Sequence, residues 1–322
     1  MSTFRVDLRP LLFQDAAWFA DLQETTPDRW VVWRVTTSLE PAWWKELLNA
    51  AASFARDHSL LDVYRRRFAG IPDGDLRDSA ASLHRRPATA PIWEIANELI
   101  VGAYLERALK WTFREHEPDG FRRRVGDWGY VAPSGRDVFV EVKSVLEPEI
   151  VGNQVFSRGI ASRRLTAVLK GAYHQLPDDG RSTLVVVVGN GLILQVSHGI
   201  MFGDLFQTLY GQMQITFQVL PYVEGSERMG PAFREMFAHA TKHRRLGCVA
   251  GLPFGGLDLP GLGFYAIHNP FAEDDVKLGR EDFHETRRFW VDEDGNGEEL
   301  PGISPAEAWR RICAADPDCG AA

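Results

Sequence analysis

The sequence predicts an α/β protein in which a mixed central sheet is flanked by helices and preceded by a mainly helical N-terminal extension. Three observations predict this class. Helix-like and strand-like segments alternate through the second half of the chain. Residues 125–145 have the composition of a β-hairpin, with valine and aromatic residues on both sides of a Pro-Ser-Gly turn. Residues 183–190 (TLVVVVGN) form an apolar run typical of a strand buried on both faces.

Residues 1–88 form the predicted N-terminal region. Ser38 is a candidate N-cap for a helix over residues 41–58, and residues 59–70 continue the helical pattern. A short strand is predicted over residues 29–36. The segment after residue 70 is polar and contains proline, which indicates a boundary between this region and the next.

A well-buried helix is predicted next, over residues 92–110, because apolar residues recur there at helical spacing. Glu98 lies within its apolar body. Either its charge reaches solvent at the edge of the helix, or its carboxylate points at the sheet that follows. Glu94 and Glu106 lie on nearby or alternate faces of the same helix and remain alternatives to Glu98.

The hairpin over residues 125–145 concentrates charge on one face. If Ser134 is the middle of a three-residue loop, Asp127 lies opposite Glu141 with Cβ atoms about 5 Å apart. Lys143 shares that face at about 6–7 Å along the strand. Two carboxylates this close repel one another unless a cation lies between them. The alternative is a surface strand that points Glu141 and Lys143 into water.

Asp137 is excluded from this group of charges. It precedes Glu141 by four positions, which corresponds to about 13 Å along a strand. Asp137 is therefore interpreted as a turn residue.

The remaining elements complete an alternating α/β order. An amphipathic helix begins near Ser162 and precedes the all-valine strand. The segments that follow are predicted as a helix over 201–211, a strand over 214–222, a helix over 231–245, strands over 247–254 and 263–271, a hairpin or loop over 289–300, and a capped helix over 304–312. Residues 89–272 are assigned to the core domain and residues 273–322 to an acidic C-terminal appendage.

Charge and cysteine content restrict the function classes. The net charge of −8 over 322 residues is against a generic nucleic-acid coat. From Ala272 onward there are 14 acidic and 6 basic residues, so the rest of the chain is neutral and leaves room for a local basic cleft.

No apolar run approaches the roughly 20 residues of a membrane span, and the N-terminus lacks a signal-peptide pattern. A reducing cytoplasm is the expected location, because no metal-ligand or CxxC spacing joins the three cysteines, Cys248, Cys313 and Cys319.

These features together resemble the PD-(D/E)XK nuclease superfamily, whose fold is called restriction-endonuclease-like. The motif consists of Asp127 after Gly126, then thirteen residues, then Glu141-Val142-Lys143. The motif is short and degenerate. Its strength lies in the order of a helix acid, a hairpin acid, an ExK triplet, a helix and a strand.

Two further residues match the pattern of the superfamily. Glu98 matches the acid often found on its first core helix, and Gln175 matches a glutamine near the end of the helix that follows the hairpin. The chain has Gly126 where many members have proline, a position that varies within the superfamily. The resemblance covers about residues 91–190, or about 91–272 if the closing strands are included.

The resemblance implies a Mg²⁺- or Mn²⁺-dependent endonuclease. Asp127, Glu141 and the backbone carbonyl of Val142 would offer hard oxygen ligands to the metal. The ion would polarise the scissile phosphate and acidify the attacking water, which Lys143 would orient. Glu98 would bind a second ion or a metal-bound water. Gln175 would be a supporting contact.

Nucleic acid is the implied partner, with DNA as the commoner substrate in the superfamily. Charge clusters are usually solvated faces, which is the alternative for each of two arginine groups, but both groups flank the proposed site in sequence and are therefore the candidates for holding the phosphate backbone: Arg122, Arg123 and Arg124, and Arg163 and Arg164. Many members cut duplexes as homodimers, but no residue here marks a dimer face. The alternative function is a catalytically inactive module of the same fold that binds nucleic acid or a protein. No membrane partner is expected.

Overall fold

The α/β class is confirmed in the computed structural model of the chain. It describes residues 4–7, 34–37, 41–69, 90–118, 120, 125–145, 158–189, 205, 209, 242–253, 262–291 and 297–313. In these residues, eight strands form one mixed sheet in which the spatial order of the strands follows their order in the chain, and the two strands that precede them form a separate antiparallel pair.

The bounds of the elements follow the chain. The strands are β1 Phe4–Asp7, β2 Arg34–Thr37, β3 Thr112–His116, β4 Trp128–Val131, β5 Asp137–Val145, β6 Ser182–Gly189, β7 Cys248–Pro253, β8 Tyr265–His268, β9 Arg287–Val291 and β10 Gly297–Leu300. The helices are α1 Pro41–Asp57, α2 Leu61–Ala69, α3 Ala90–Ala103, α4 Arg158–Tyr173 and α5 Pro305–Cys313. A π-helical turn, Tyr104–Ala108, continues α3, and a 3₁₀ turn, Glu281–Phe283, precedes β9.

The hairpin of β4 and β5 has the predicted register. Trp128 pairs with Val140 in an antiparallel ladder. Continuing that register by one residue places Asp127 directly opposite Glu141. The pairing that the sequence predicts from the length of the loop is therefore confirmed.

The loop of this hairpin contains the three predicted residues, Pro133 to Gly135. The Ala132 N–H donates to the Arg136 carbonyl at 2.9 Å, and the Gly135 N–H donates to the Ala132 carbonyl at 2.8 Å. Gly135 has a φ of +85°, a left-handed conformation that glycine adopts without the steric cost of a Cβ atom. A glycine at the third loop position thus fixes the register of the strands.

β3 is a strand that the sequence pattern does not indicate. It forms one edge of the sheet, and three of its five residues, Thr112, Arg114 and Glu115, are exposed. A register shift separates Phe113 from Glu115 in its pairing with β4. Because one side of an edge strand is open and a bulge breaks its alternation, the period-2 pattern is weak here.

The chain crosses from β5 through α4 to β6, which lies parallel to β5. β6 is the predicted all-valine strand, and its described side chains from Ser182 to Val188 are all buried. β7 continues the sheet in parallel, β8 in antiparallel, β9 parallel to β8, and β10 as the hairpin partner of β9. The closing strands and the C-terminal hairpin are confirmed.

The sheet has a hydrophobic cluster on each face. Val138, Val140 and Val142 of β5 belong to the larger cluster, which includes α1, α3 and α5. Phe139 and Val145 belong to the second cluster, which α4 covers. Glu141 and Lys143 follow Phe139 by two and four positions in the strand. They therefore lie on the same face of the sheet as Phe139, which is the α4 face.

The N-terminal and C-terminal helices share the larger cluster, joined around the buried Arg107. Its Nη1 donates to the carbonyls of Ala50, at 3.1 Å, and of Ile312, at 3.3 Å. Its Nη2 donates to Ser53 Oγ at 3.1 Å and to Asp57 Oδ2 at 2.9 Å. The domain boundaries predicted near residues 88 and 272 stay predictions, and described residues on both sides of them share one core.

Several predicted elements lie outside the described residues. These are the strand over 214–222 and most of the helices over 201–211 and 231–245, although Leu205 and Leu209 are helical and buried. Ser38, the predicted N-cap of α1, also lies outside. In the part of the chain that is described, no helix combines the length and apolarity needed to cross a bilayer.

Candidate active site

Asp127 lies just before β4, where its side chain reaches across to β5. Its N–H donates to the Val140 carbonyl at 3.1 Å, which extends the ladder by one residue. Its Oδ2 accepts the Val142 N–H at 2.6 Å. Its Oδ1 has no hydrogen bond from a described residue. The carboxylate therefore accepts the β5 N–H that lies next to the last backbone hydrogen bond of the ladder. Its other oxygen is available to bind a ligand.

Glu141 is the most enclosed carboxylate of the hairpin, with 2 % of its side chain exposed. One oxygen, Oε1, accepts a hydrogen bond from Lys143 Nζ. The other, Oε2, is buried and has no hydrogen-bond partner among the described residues. A buried carboxylate oxygen without a partner is costly, so this oxygen indicates a missing cation or donor.

Lys143 is held by two acceptors. Besides Glu141, its Nζ donates to Gln175 Oε1 at 2.8 Å. Gln175 lies two residues beyond the end of α4, and its Nε2 donates to the Val125 carbonyl at 3.5 Å. Gln175 thus connects the lysine to the start of the hairpin and restricts the position of the ammonium group.

Glu98 approaches from α3, on the other face of the sheet, and is buried. Arg67 binds both of its oxygens: Nη2 donates to Oε1 at 2.7 Å, and Nη1 donates to Oε2. Tyr64 Oη donates to Oε2 at 3.3 Å. The Trp128 indole donates to the Glu98 backbone carbonyl at 2.9 Å, which fixes α3 against β4.

The three acids raise one another's pKa values. Burial raises the pKa of Glu98 to about 8, and the charge of Asp127 adds to this against the opposing hydrogen bonds from Arg67. Burial and the charge of Glu141 raise the pKa of Asp127. Burial also raises the pKa of Glu141, while Lys143 opposes the shift. The carboxylates are therefore near enough to interact and are short of positive charge.

Arg67, Tyr64 and His116 are site residues that the sequence does not single out. Arg67 and Tyr64 lie three positions apart on α2, hence on one face of that helix. Tyr64 Oη also lies 3.3 Å from His116 Nε2 on β3. The spacing of Tyr64 and Arg67 shows from sequence that they share a face of α2. Their partner on α3 could not be identified in the same way, because it depends on how two helices that are distant in sequence pack together.

The donor set suits a lightly coordinated hard cation. Within the described ranges, no group of three or more His, Cys, Asp or Glu side chains is arranged to hold a metal ion. Glu98 is engaged by Arg67, whereas Asp127 Oδ1 and Glu141 Oε2 accept no hydrogen bond from the described part of the chain. The N–H and C=O of one strand residue point to the same side, so the Val142 carbonyl also faces Asp127. Two carboxylate oxygens and a carbonyl fit Mg²⁺, which keeps several of its waters.

The side chains of the two arginine groups predicted to bind phosphate lie outside the described part of the structure. Arg122, Arg123 and Arg124 lie outside the described residues. Arg163 and Arg164 lie in α4, but their side chains are outside the described part of the structure. Asp137, excluded as a ligand, forms an ion pair with Arg114 instead.

The surroundings of Gly126 account for a glycine at the position before Asp127. Its N–H donates to the Pro118 carbonyl at 2.9 Å, a bond that proline cannot form. A Cβ atom at this position would lie 2.4 Å from Cζ of Phe139, whose side chain is fully buried. The glycine therefore allows the hairpin to begin directly over the Phe139 ring.

Replacing Gly126 should destabilise the protein. We expect Gly126→Ala to lower the free energy of unfolding by about 1–3 kcal/mol through overpacking. We expect Gly126→Pro to cost about 1 kcal/mol more because a hydrogen bond is lost. Urea titration measures both. Gly171→Ala is the control, since its Cβ would contact nothing within 4 Å and it lies in α4. A Gly126→Ala protein as stable as wild type would contradict this packing.

Comparison of the chain with protein-family models, curated proteins and solved structures gives no match. The geometry of the residues is therefore the basis for the functional conclusion.

Proposed function

We propose that the protein is a Mg²⁺- or Mn²⁺-dependent nuclease of the restriction-endonuclease-like class that hydrolyses phosphodiester bonds in DNA. The observation that carries this proposal is the buried, unpartnered Oε2 of Glu141 beside Asp127 and Lys143. The ion pair with Lys143 satisfies only Oε1, so it does not account for the buried Oε2, whereas a bound cation would.

The proposal assigns a role to each residue. Asp127 Oδ1, Glu141 Oε2 and the Val142 carbonyl would hold the ion. When bound, Mg²⁺ supplies the Lewis-acid chemistry of phosphodiester hydrolysis by polarising the phosphate and acidifying a water. Lys143 Nζ would orient that water or stabilise charge on the phosphate oxygens. Gln175 would keep the lysine in position.

The order of elements supports the same class. A helix with an acid, α3, precedes the β4–β5 hairpin with its acid and ExK triplet, and α4 and the parallel strand β6 follow. This is the order on which the sequence resemblance rests. β3, between α3 and the hairpin, adds an antiparallel edge strand to it.

A catalytically inactive module that binds nucleic acid or a protein is the second candidate. The observation in its favour is the Arg67–Glu98 ion pair, which removes one carboxylate from the group available to metal. This candidate requires no ion at Asp127 and Glu141.

Nuclease assays test the proposal directly. We expect the purified chain to cleave DNA in Mg²⁺ or Mn²⁺ and to be inactive in EDTA. The panel should contain supercoiled plasmid, linear duplex, single-stranded DNA and RNA, so that the assay also identifies the strand form of the substrate. If the chain cleaves none of these substrates in Mg²⁺ or in Mn²⁺, the nuclease proposal is contradicted.

Calorimetry separates the two candidates. A nuclease should bind Mn²⁺, and Asp127→Asn should weaken this binding by about 10–100-fold or more, as loss of a ligand or its support does elsewhere. The inactive module predicts no ion binding that depends on Asp127 or Glu141. Arg136→Gln is a suitable control, because this exposed residue of the hairpin loop contacts the carbonyls of Asp274 and Lys277 instead.

A further inference from the structure

We propose that Arg67 takes the place of a second cation beside Glu98, so that the site binds one divalent ion per chain. This inference rests on the proposed function and goes beyond it. It makes Arg67, from the N-terminal region, a positioning residue of the site, and it removes Glu98 from the set of metal ligands.

The first argument is the occupancy of Glu98. Arg67 donates from both terminal nitrogens to the two carboxylate oxygens, a bidentate geometry that is among the strongest between side chains. Tyr64 Oη adds a third donor to Oε2. Any metal ion that used Glu98 would have to displace Arg67 first.

The second argument is that the Arg67 guanidinium packs against a buried aromatic ring, which restricts its position. Its guanidinium carbon lies 5.1 Å from the ring centroid of Tyr64, and that ring is fully buried. The Tyr64 ring packs parallel to Trp128, with centroids 6.2 Å apart. Because Trp128 also binds the Glu98 backbone, arginine and glutamate are positioned by the same aromatic pair.

The third argument is the balance of charge. Three carboxylates, Glu98, Asp127 and Glu141, interact with two cations, Arg67 and Lys143. With all three carboxylates ionised, the net charge is −1, and one divalent ion changes it to +1. A second would raise it to +3 in a largely buried site, where an excess of like charge is strongly unfavourable.

Mn²⁺ stoichiometry tests this inference. Binding to the full chain should be measured by titration calorimetry and by equilibrium dialysis at pH 8.0, with circular dichroism to check folding. The variants are Glu98→Gln, Arg67→Met, the double variant Arg67→Met/Glu98→Gln, and Asp127→Asn. Arg66→Met is the matched control, because Arg66 is the exposed neighbour of Arg67 on α2.

We expect one Mn²⁺ per chain in the wild type, in Arg66→Met and in the double variant. Glu98→Gln should also bind one ion, with a dissociation constant within about threefold of wild type. Arg67→Met should bind two ions, because it leaves Glu98 without its cation. The double variant keeps the pair neutral, so it should fold even if Arg67→Met does not.

Three results would overturn the inference: two ions in the wild type, a loss of more than about tenfold in affinity in Glu98→Gln, or a folded Arg67→Met protein with one ion. Failure of the proposed function gives a different result. In that case the wild type binds no Mn²⁺, or its ion is unaffected by Asp127→Asn, and both proposals fail.

Discussion

Lys143→Met should reduce the rate of DNA cleavage by about 10²–10³-fold while Mn²⁺ remains bound. The expected loss is that of removing one preorganised charge from a transition state. Metal binding should persist because Lys143 is not a ligand, and its removal leaves Glu141 with less competition for Oε1. Single-turnover cleavage with saturating enzyme measures the rate, and calorimetry measures the ion.

The control for this prediction is Lys170→Met. Lys170 is an exposed lysine in the last turn of α4, on the helix that covers the Lys143 face. Its replacement should leave the cleavage rate within about twofold of wild type, as expected for a surface substitution away from the site. Equal rates for Lys143→Met and wild type would remove the lysine from the chemistry.

The second large effect is a loss of stability with rising pH that divalent ions reverse. In EDTA, we expect the free energy of unfolding to fall by roughly 1–3 kcal/mol between pH 6.5 and 8.5. The folded-state pKa of Glu98, about 8, exceeds its ordinary value of 4.5, and those of Asp127 and Glu141 are also raised. The folded chain therefore holds more protons than the unfolded chain and loses this advantage as the groups ionise.

The pH window is chosen so that histidines do not obscure the effect. Burial lowers the pKa of His268 to about 4 and also lowers that of His116. Such groups contribute stability that is present above their ordinary value of 6.5 and is lost in acid. Above pH 6.5 the carboxyl groups therefore dominate the slope.

Urea titrations at several pH values, with and without Mg²⁺, measure this effect. Mg²⁺ should stabilise the protein more at pH 8.5 than at pH 6.5, because protons compete with the ion for the same oxygens. Glu141→Gln, which cannot ionise, should show a shallower slope and little response to Mg²⁺. A wild-type slope of the opposite sign would show that the carboxyl groups do not have raised pKa values.

The hairpin could be predicted from sequence because its determinants are local. Pro133, Ser134 and Gly135 fix a three-residue loop, and the loop fixes the register that places Asp127 opposite Glu141. The burial of β6 likewise follows from its own apolar run. These features depend on residues close together in the chain.

The environment of Glu98 could not be predicted in the same way. The sequence leaves Glu106 as an alternative to Glu98, and the structure separates them, since Glu98 is buried whereas Glu106 is half-buried and bonds to His58. The partner of Glu98, Arg67, precedes it by 31 residues, across a polar segment. Helical periodicity gives the face of each helix but not which faces meet, so the pair emerges only from tertiary packing.

The contacts of Arg107 have a consequence for the order in which the chain is synthesised. This buried side chain binds the carbonyls of Ala50 and Ile312, and the second of these is separated from it by 205 residues. Arg311 and Trp309 reinforce the junction by donating to the Ala108 carbonyl and to Glu46. During translation, α1 and α3 can pack together early, but Arg107 lacks one of its acceptors until α5 has left the ribosome. We therefore expect a ribosome-bound chain that stops before residue 305 to lack a closed core, and a longer chain to close its core only after α5 has emerged.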